Sequence, residues 1–387
     1  MAYQVKTTTS YGSRLSNSLK GVVTGFIMFI AGTVLLFWNE GNFVKTKKSI
    51  QEAEKVVVRV DDVSNVDPAL NGKLIHATAF ANTEDVLTDD EFGVSERAIS
   101  ISRKVEYYQY VEHSKSEKKD KIGGGEETIT TYTYEQQWVS KPVNSAEFAN
   151  PEYQLSNKVL RVVDPMTVYA TNVSFGGYRL PAFLISSISG SVPAAANVEP
   201  TGTMHVNNNV VYFGETTSTP QIGDVRVTLT KIMPADVSII AKVTGSTFEK
   251  YIAKNGKDFS KLNMGTVSAE NMFSEAHSAN SMFTWILRII GILLVVLGLK
   301  SMFSILPTLF KVLPFLGNIV GAGVGLVSVI GGGAWSLVII ALAWLFYRPL
   351  IGIPLLAIAV AGIWYLGKKA KEKKMAAAAT EEVVENA

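Results

Sequence analysis

The 387-residue sequence predicts an integral membrane α-helical bundle of four spans, arranged 1 + 3, with a large strand-rich α+β extracytoplasmic domain inserted between spans 1 and 2. Three observations carry this reading. Four long apolar runs are almost free of charge. Their side chains leave no polar face for water, as a helix at the surface of a soluble protein would need. Residues 39–281, between the first run and the second, alternate polar and apolar side chains as strands do.

The first run, "GVVTGFIMFIAGTVLLFW", occupies residues 21–38, and at about 1.5 Å per residue it comes close to crossing a core about 30 Å thick. The second, residues 282–303, opens the group of three. From Phe315 to Tyr347 no side chain is charged, and that stretch would be roughly 50 Å long as a straight helix. Its excess length predicts an interfacial or re-entrant segment over 304–324, a span over 325–347 and a bend at Gly331 to Gly333. After "RP" comes the fourth run, residues 349–367.

Orientation follows from the cations. Residues 1–20 carry Lys6, Arg14 and Lys20 with no acidic side chain, and the tail at 368–387 opens "KKAKEKK". Both ends therefore read as cytoplasmic, which an even number of spans allows. Residues 39–281 then lie outside, in a periplasm or in the lumen of the endoplasmic reticulum and nuclear envelope. The first span reads as an uncleaved signal anchor, because "FWNEGN" offers no small-residue cleavage site. A net charge of +2 is too small to imply an anionic partner. The absence of cysteine excludes disulfides, thiolate metal sites and cysteine catalysis, so the inserted domain must hold together by an ordinary core.

Within that domain "KVVVRV" at Lys55, "KLIHATA" at Lys73, "VVYFG" at Val210, "GDVRVTLTKI" at Gly223 and "DVSIIAKV" at Asp236 predict strands, being β-branched and bounded by turn residues. Helices are expected at 42–54, 179–188 and 268–280. The stretch "KVEYYQYVEHSKSEKKDKIGGG" from Lys104 mixes lysine and tyrosine as a nucleic-acid surface would. Its alternation, repeated in "TITTYTYEQQW" after a glycine-rich connector, predicts instead a long β-hairpin whose tyrosines pack across strands. Glu112, Glu117, Asp120, Glu126 and Glu127 balance its lysines, so no nucleic-acid partner is expected.

The chain resembles the transmembrane protein 43 family, also called LUMA. The resemblance rests on "WNEG" after the first run, "GKLIHA" at Gly72, "FGV" at Phe92, "RKVEYYQYVE" at Arg103, "TYTYEQQW" ending at Trp138, "GDVRV" at Gly223, "NSMFTWILRIIG" at Asn280 and "WLFYRPL" at Trp344. It implies the same 1 + 3 arrangement and, for animal members, a place in the endoplasmic reticulum and inner nuclear membrane as organisers of protein complexes. A bacterial relative would occupy the inner membrane. It implies no enzymatic activity, no cofactor and no catalytic residues.

The residues themselves agree with that silence on chemistry. The four histidines, His76, His113, His205 and His277, share no metal-ligand spacing, and His76 reads as a packed strand residue. No G-x-S-x-G elbow occurs, and "GAGVG" at Gly321 lies in an apolar run where phosphate would not go. Asn172 opens a glycosylation sequon.

Two features inside the membrane are candidates for function. Gly317, Gly321 and Gly325 recur at intervals of four, a spacing suited to helix packing within the bundle or to an oligomer seam. Glu40, Arg288 and Arg348 fall at one membrane surface, so Glu40 is expected to pair with Arg288 or Arg348 and to pin the domain to the bundle. The sequence therefore predicts a non-catalytic scaffold whose partners are the lipid bilayer, other membrane proteins and further copies of itself. The alternative is a sensor or transport element coupling the outer domain to the helices.

Overall fold

The computed structural model describes residues 2–354 and 357. The fourth predicted span begins inside them, with Pro349 opening a helical turn, but most of 349–367 and the whole tail at 368–387 lie outside the described residues. Two compact units divide the chain. Of the described residues, one comprises 2–9, 48–120 and 126–278; the other comprises 10–47, 121–125 and those from 279 onward.

The first unit is built from two antiparallel-rich sheets. The larger has eight strands, with the path Tyr3–Thr9, Glu126–Val139, Ser100–Asp120, Val225–Ile232, Val210–Phe213 and Met204–Asn207. The predicted hairpin is its spine: Tyr107 faces Val139 at one end and Asp120 faces Glu126 at the other. Val105, Tyr107 and Gln109 turn inward and are buried, as the alternation requires. Val105 and Tyr107 pack with Val211, Val225, Val227 and Leu229 of the neighbouring strands.

The second sheet has seven strands and closes on itself. Ala235–Thr244 pairs with both Thr247–Glu249 and Leu74–Thr83, and Val173–Phe175 and Tyr178–Arg179 complete the ring. Phe175, Tyr178, Leu180, Ile239 and Phe248 belong to the core of this closed sheet. His76 is a strand residue whose Nε2 lies 2.9 Å from the Val267 carbonyl.

Five helices are described. Helix α1 runs from Tyr11 to Val56, α2 from Ala182 to Ile185, α3 from Ala269 to Met302, α4 from Ile305 to Phe310 and α5 from Pro314 to Tyr347. Among the described residues three helical segments are long and apolar enough to cross a membrane: Tyr11–Val56, Ala269–Phe310 and Pro314–Tyr347. Side chains along them, such as Val23, Ile27, Ile289, Leu293, Ile330 and Leu337, stand exposed. That is the pattern of lipid-facing helices.

Several expectations need correction. The strand expected from Lys55 is shorter, Val58–Val60, because α1 continues to Val56. The helix expected over 179–188 shrinks to four residues, since Tyr178–Arg179 is claimed by the closed sheet and Pro181 sets the helix start. Segment 304–324 is not a single interfacial piece: α4 takes Ile305–Phe310, and from Pro314 one helix runs unbroken through Gly331 to Gly333. An α-helix satisfies its own backbone whether or not glycine is present, so an apolar surround removes the incentive to break.

The largest correction concerns the amino terminus. Instead of a free basic tail, Tyr3–Thr9 forms a strand paired residue for residue with Glu126–Tyr132 of the hairpin. Lys6 Nζ sits 2.9 Å from Glu127, and the Tyr3 ring contacts that of Tyr132. Strands of one sheet share one compartment, whereas the charge distribution places these two segments on opposite sides of a membrane.

Candidate functional site

The helical unit gathers the predicted charges at one point. In α1 the apolar run stops at Trp38, and the next two side chains, Asn39 and Glu40, are wholly buried. Arg288 projects from α3 and meets Glu40 with both prongs, Nε to Oε1 at 2.6 Å and Nη2 to Oε2 at 2.9 Å. This is the bidentate geometry in which guanidinium and carboxylate interact most strongly. From α5 the Trp344 indole donates to Glu40 Oε2 at 2.8 Å. Arg348, at the end of α5, reaches the same oxygen only at 3.6 Å. Its Nη2 is buried without a hydrogen-bond partner.

Aromatic rings enclose the cluster. The Arg288 guanidinium lies 4.7 Å from the Trp285 ring, and that of Arg348 lies 4.3 Å from the Phe43 ring and 5.5 Å from the Trp344 ring. Such faces attract cations and shield them from lipid. Asn39 Nδ2 donates to the Thr284 carbonyl at 3.0 Å, while its Oδ1 stays buried and unpaired. Glu40 thus joins α1 to α3 and α5 inside the helical unit.

The predicted glycine seam behaves differently. Gly317 packs under Lys311 of its own chain, and Gly321 touches only Pro307 at ordinary distance. A side chain at Gly325 would meet nothing within 4 Å. The tight helix crossing is elsewhere, between α1 and α3. A Cβ on Gly25 would lie 2.6 Å from the Gly298 carbonyl oxygen, and one on Gly32 would lie 2.9 Å from the Gly291 carbonyl oxygen. Both pairs are seven residues apart, two helical turns, which keeps them on one face. That spacing was present in the sequence and is a better sign of the seam than intervals of four along α5.

The loop of the hairpin, residues 121–125, belongs to the helical unit. Arg14 of α1 donates from Nη1 to the carbonyls of Gly124 and Gly125 at 2.9 and 3.1 Å, and the Gly123 amide donates to the Val312 carbonyl at 3.2 Å.

In the strand-rich unit the ionisable groups are tied to one another. Arg103, buried, bonds Asp89 and Glu91, and burial in turn pushes the Asp89 carboxyl above its ordinary range against the pull of Arg103. The Tyr134 hydroxyl donates to Glu112 at 2.6 Å while its ring stacks on Tyr153. Burial, then that carboxylate, push its phenol up to about 12. Tyr212 likewise donates to buried Asp224. Among the described residues no three histidine, aspartate or glutamate side chains converge where they could hold a metal ion.

Residues 107–349 match the family described as Transmembrane protein 43. The mouse protein of that name is 32% identical over 349 residues, covering 87% of this chain and 87% of its own length. The chain belongs to the transmembrane protein 43 family. Other relatives of that name include the human protein, 29% identical over 386 residues and 96% of each chain, and the Drosophila homolog, 26% identical over 349 residues, 86% of this chain and 90% of its own. No solved structure matches. The family match contains Arg288, Trp344 and Arg348, and ends one residue beyond the last of them.

Proposed function

We propose that this member of the transmembrane protein 43 family is a non-catalytic membrane scaffold that organises protein complexes. The observation that carries the reading is how the polar side chains are spent. Arg103, Asp89, Glu112, Tyr134, Tyr212 and Asp224 are committed to internal pairs. Two clefts, of about 420 and 510 Å³, are open; the charged groups lining them are Arg161 in the first and the paired Lys261 and Glu275 in the second. What remains for the outside is extended sheet surface in one unit and lipid-facing helices in the other, which suits partners more than substrates. Those partners would be other membrane proteins and further copies of the chain. In a eukaryotic cell the place that fits is the endoplasmic reticulum and inner nuclear membrane; in a bacterium it is the inner membrane.

A sensor or transport element is the second reading. It is favoured by the unbroken course of α1 and α3, whose Ile50, Ala53, Met272 and Phe273 enter a core with Leu74 and Ile240 of the closed sheet. Mass determination of the gently solubilised particle separates the two. A scaffold gives a particle heavier than the 42.0 kDa chain, with other membrane proteins in it, and loses them when 114–125 is replaced by a glycine-serine turn. A particle of the chain alone that conducts ions in liposomes overturns the scaffold in favour of transport.

A further inference from the structure

The three-helix cluster holds two guanidinium groups and one carboxylate, an excess of one positive charge. The Glu40 oxygen that Arg348 approaches, Oε2, already accepts two hydrogen bonds. Glu40 Oε1 accepts from Arg288 Nε, and Oε2 accepts from both Arg288 Nη2 and Trp344 Nε1. Arg348 therefore stands at 3.6 Å, outside hydrogen-bond range, and its Nη2 is buried without a hydrogen-bond partner. Its side chain as a whole is still 21% exposed. A guanidinium held by two aromatic faces, short of its carboxylate and with a donor unpaired, leaves a positive charge incompletely neutralised.

Its level along the helices identifies the anion. The cluster begins where the apolar run of α1 ends, and Trp38, Trp285 and Phe346 beside it are exposed aromatic side chains. Tryptophan concentrates at the headgroup layer of a bilayer. We propose that Arg348, backed by Arg288, binds the phosphate of an anionic phospholipid headgroup. The guanidinium charge would attract a phosphate oxygen at the exposed part of the side chain, and the excess charge would favour an anionic lipid over a zwitterionic one, whose own cation is repelled. A free phosphate ion shares this chemistry, but would lack acyl chains to rest on the exposed apolar side chains below.

The test uses the full-length protein, stripped of lipid in detergent. Native mass spectrometry then counts phospholipids retained after addition of phosphatidylglycerol, phosphatidylcholine or inorganic phosphate, with the unfolding midpoint measured in parallel. The expected result is tight retention of phosphatidylglycerol, a raised midpoint, and retention weakened at least about tenfold in Arg348→Gln, the scale of losing hydrogen bonds to a charged group. Equal retention by Arg348→Gln overturns the proposal. So does equal retention of phosphatidylcholine, or an equal rise of the midpoint with inorganic phosphate, which would make the site one for the free ion. If Arg348→Gln does not fold, Arg348→Lys supplies the comparison: it keeps the charge and loses the fork, so weaker retention supports the site and unchanged retention overturns it.

Discussion

Gly25 and Gly298 lie face to face, so close that a methyl group on Gly25 would sit 2.6 Å from the Gly298 carbonyl oxygen and 2.7 Å from the Met302 amide nitrogen. Both obstructing atoms are backbone, which cannot swing aside. Gly25→Val should force α1 and α3 apart and cost about 1–3 kcal/mol, the range for overpacking a tight site. It should read as a lower unfolding midpoint in detergent. Gly325→Val, where a side chain meets nothing within 4 Å, should leave that midpoint unchanged. If Gly325 nonetheless lies on a seam between copies, the same variant lowers the mass of the solubilised particle. An unchanged mass disposes of that role.

Among the described residues Glu40 is the only acid in the cluster around Arg288 and Arg348. Its removal by Glu40→Gln keeps the shape but strands two cations beside the membrane core. Breaking a buried pair by deleting one partner costs about 3–5 kcal/mol, because the remaining charge is left uncompensated. The expected loss is larger for Glu40→Gln than for Arg348→Gln, since Arg348 makes no hydrogen bond to it. Equal midpoints for wild type and Glu40→Gln would mean that each arginine reaches headgroups by itself.

What the sequence made legible follows from where the forces are local. Apolar runs identify α1, α3 and α5, because transfer into lipid depends on composition over about twenty residues. Period-two alternation identifies the hairpin, and the positions of Glu40 and Arg348 at the ends of apolar runs, with Arg288 less than two turns inside another, bring them to one level. Trp344 was passed over, since an indole inside an apolar run looks like any other apolar residue until a buried carboxylate needs its N–H. The strand Tyr3–Thr9 was invisible for a different reason. Its pairing with Glu126–Tyr132 lies more than a hundred residues away in sequence, and short polar "YQVKTTT" acquires its conformation only from that neighbour.

Glu106 ties the hairpin to the adjacent strand through Arg226, at 2.9 Å, while the Arg226 guanidinium lies 4.4 Å from the Trp138 ring. Burial alone would raise the carboxyl, but the hydrogen bonds from Lys104 and Arg226 outweigh it and hold the group below its ordinary 4.5. A lowered acid contributes stability that is complete above the unfolded value and disappears as pH falls through the folded one. The difference in unfolding midpoint between wild type and Glu106→Gln should therefore be largest near neutral pH and shrink below pH 4.5. Trp138 fluorescence gives a local readout. A difference that grows on acidification would contradict the ion pair.

The pairing of Tyr3–Thr9 with the hairpin is open to a direct chemical test, because the chain contains no cysteine of its own. Thr7 stands opposite Thr128 in the register. Facing residues of an antiparallel pair have Cα atoms about 4.5–5.5 Å apart, within the reach of a disulfide. A Thr7→Cys/Thr128→Cys protein, oxidised in native membranes before solubilisation, should form an internal crosslink visible as faster migration without reductant. Thr7→Cys/Thr133→Cys should not, since Thr133 lies beyond the paired segment. The alternative arrangement, with a cytoplasmic amino terminus and the hairpin across the membrane, forbids the first crosslink outright. Its absence would show that the basic side chains of 1–20 set the orientation and that the strand forms only when no bilayer separates it from its partner.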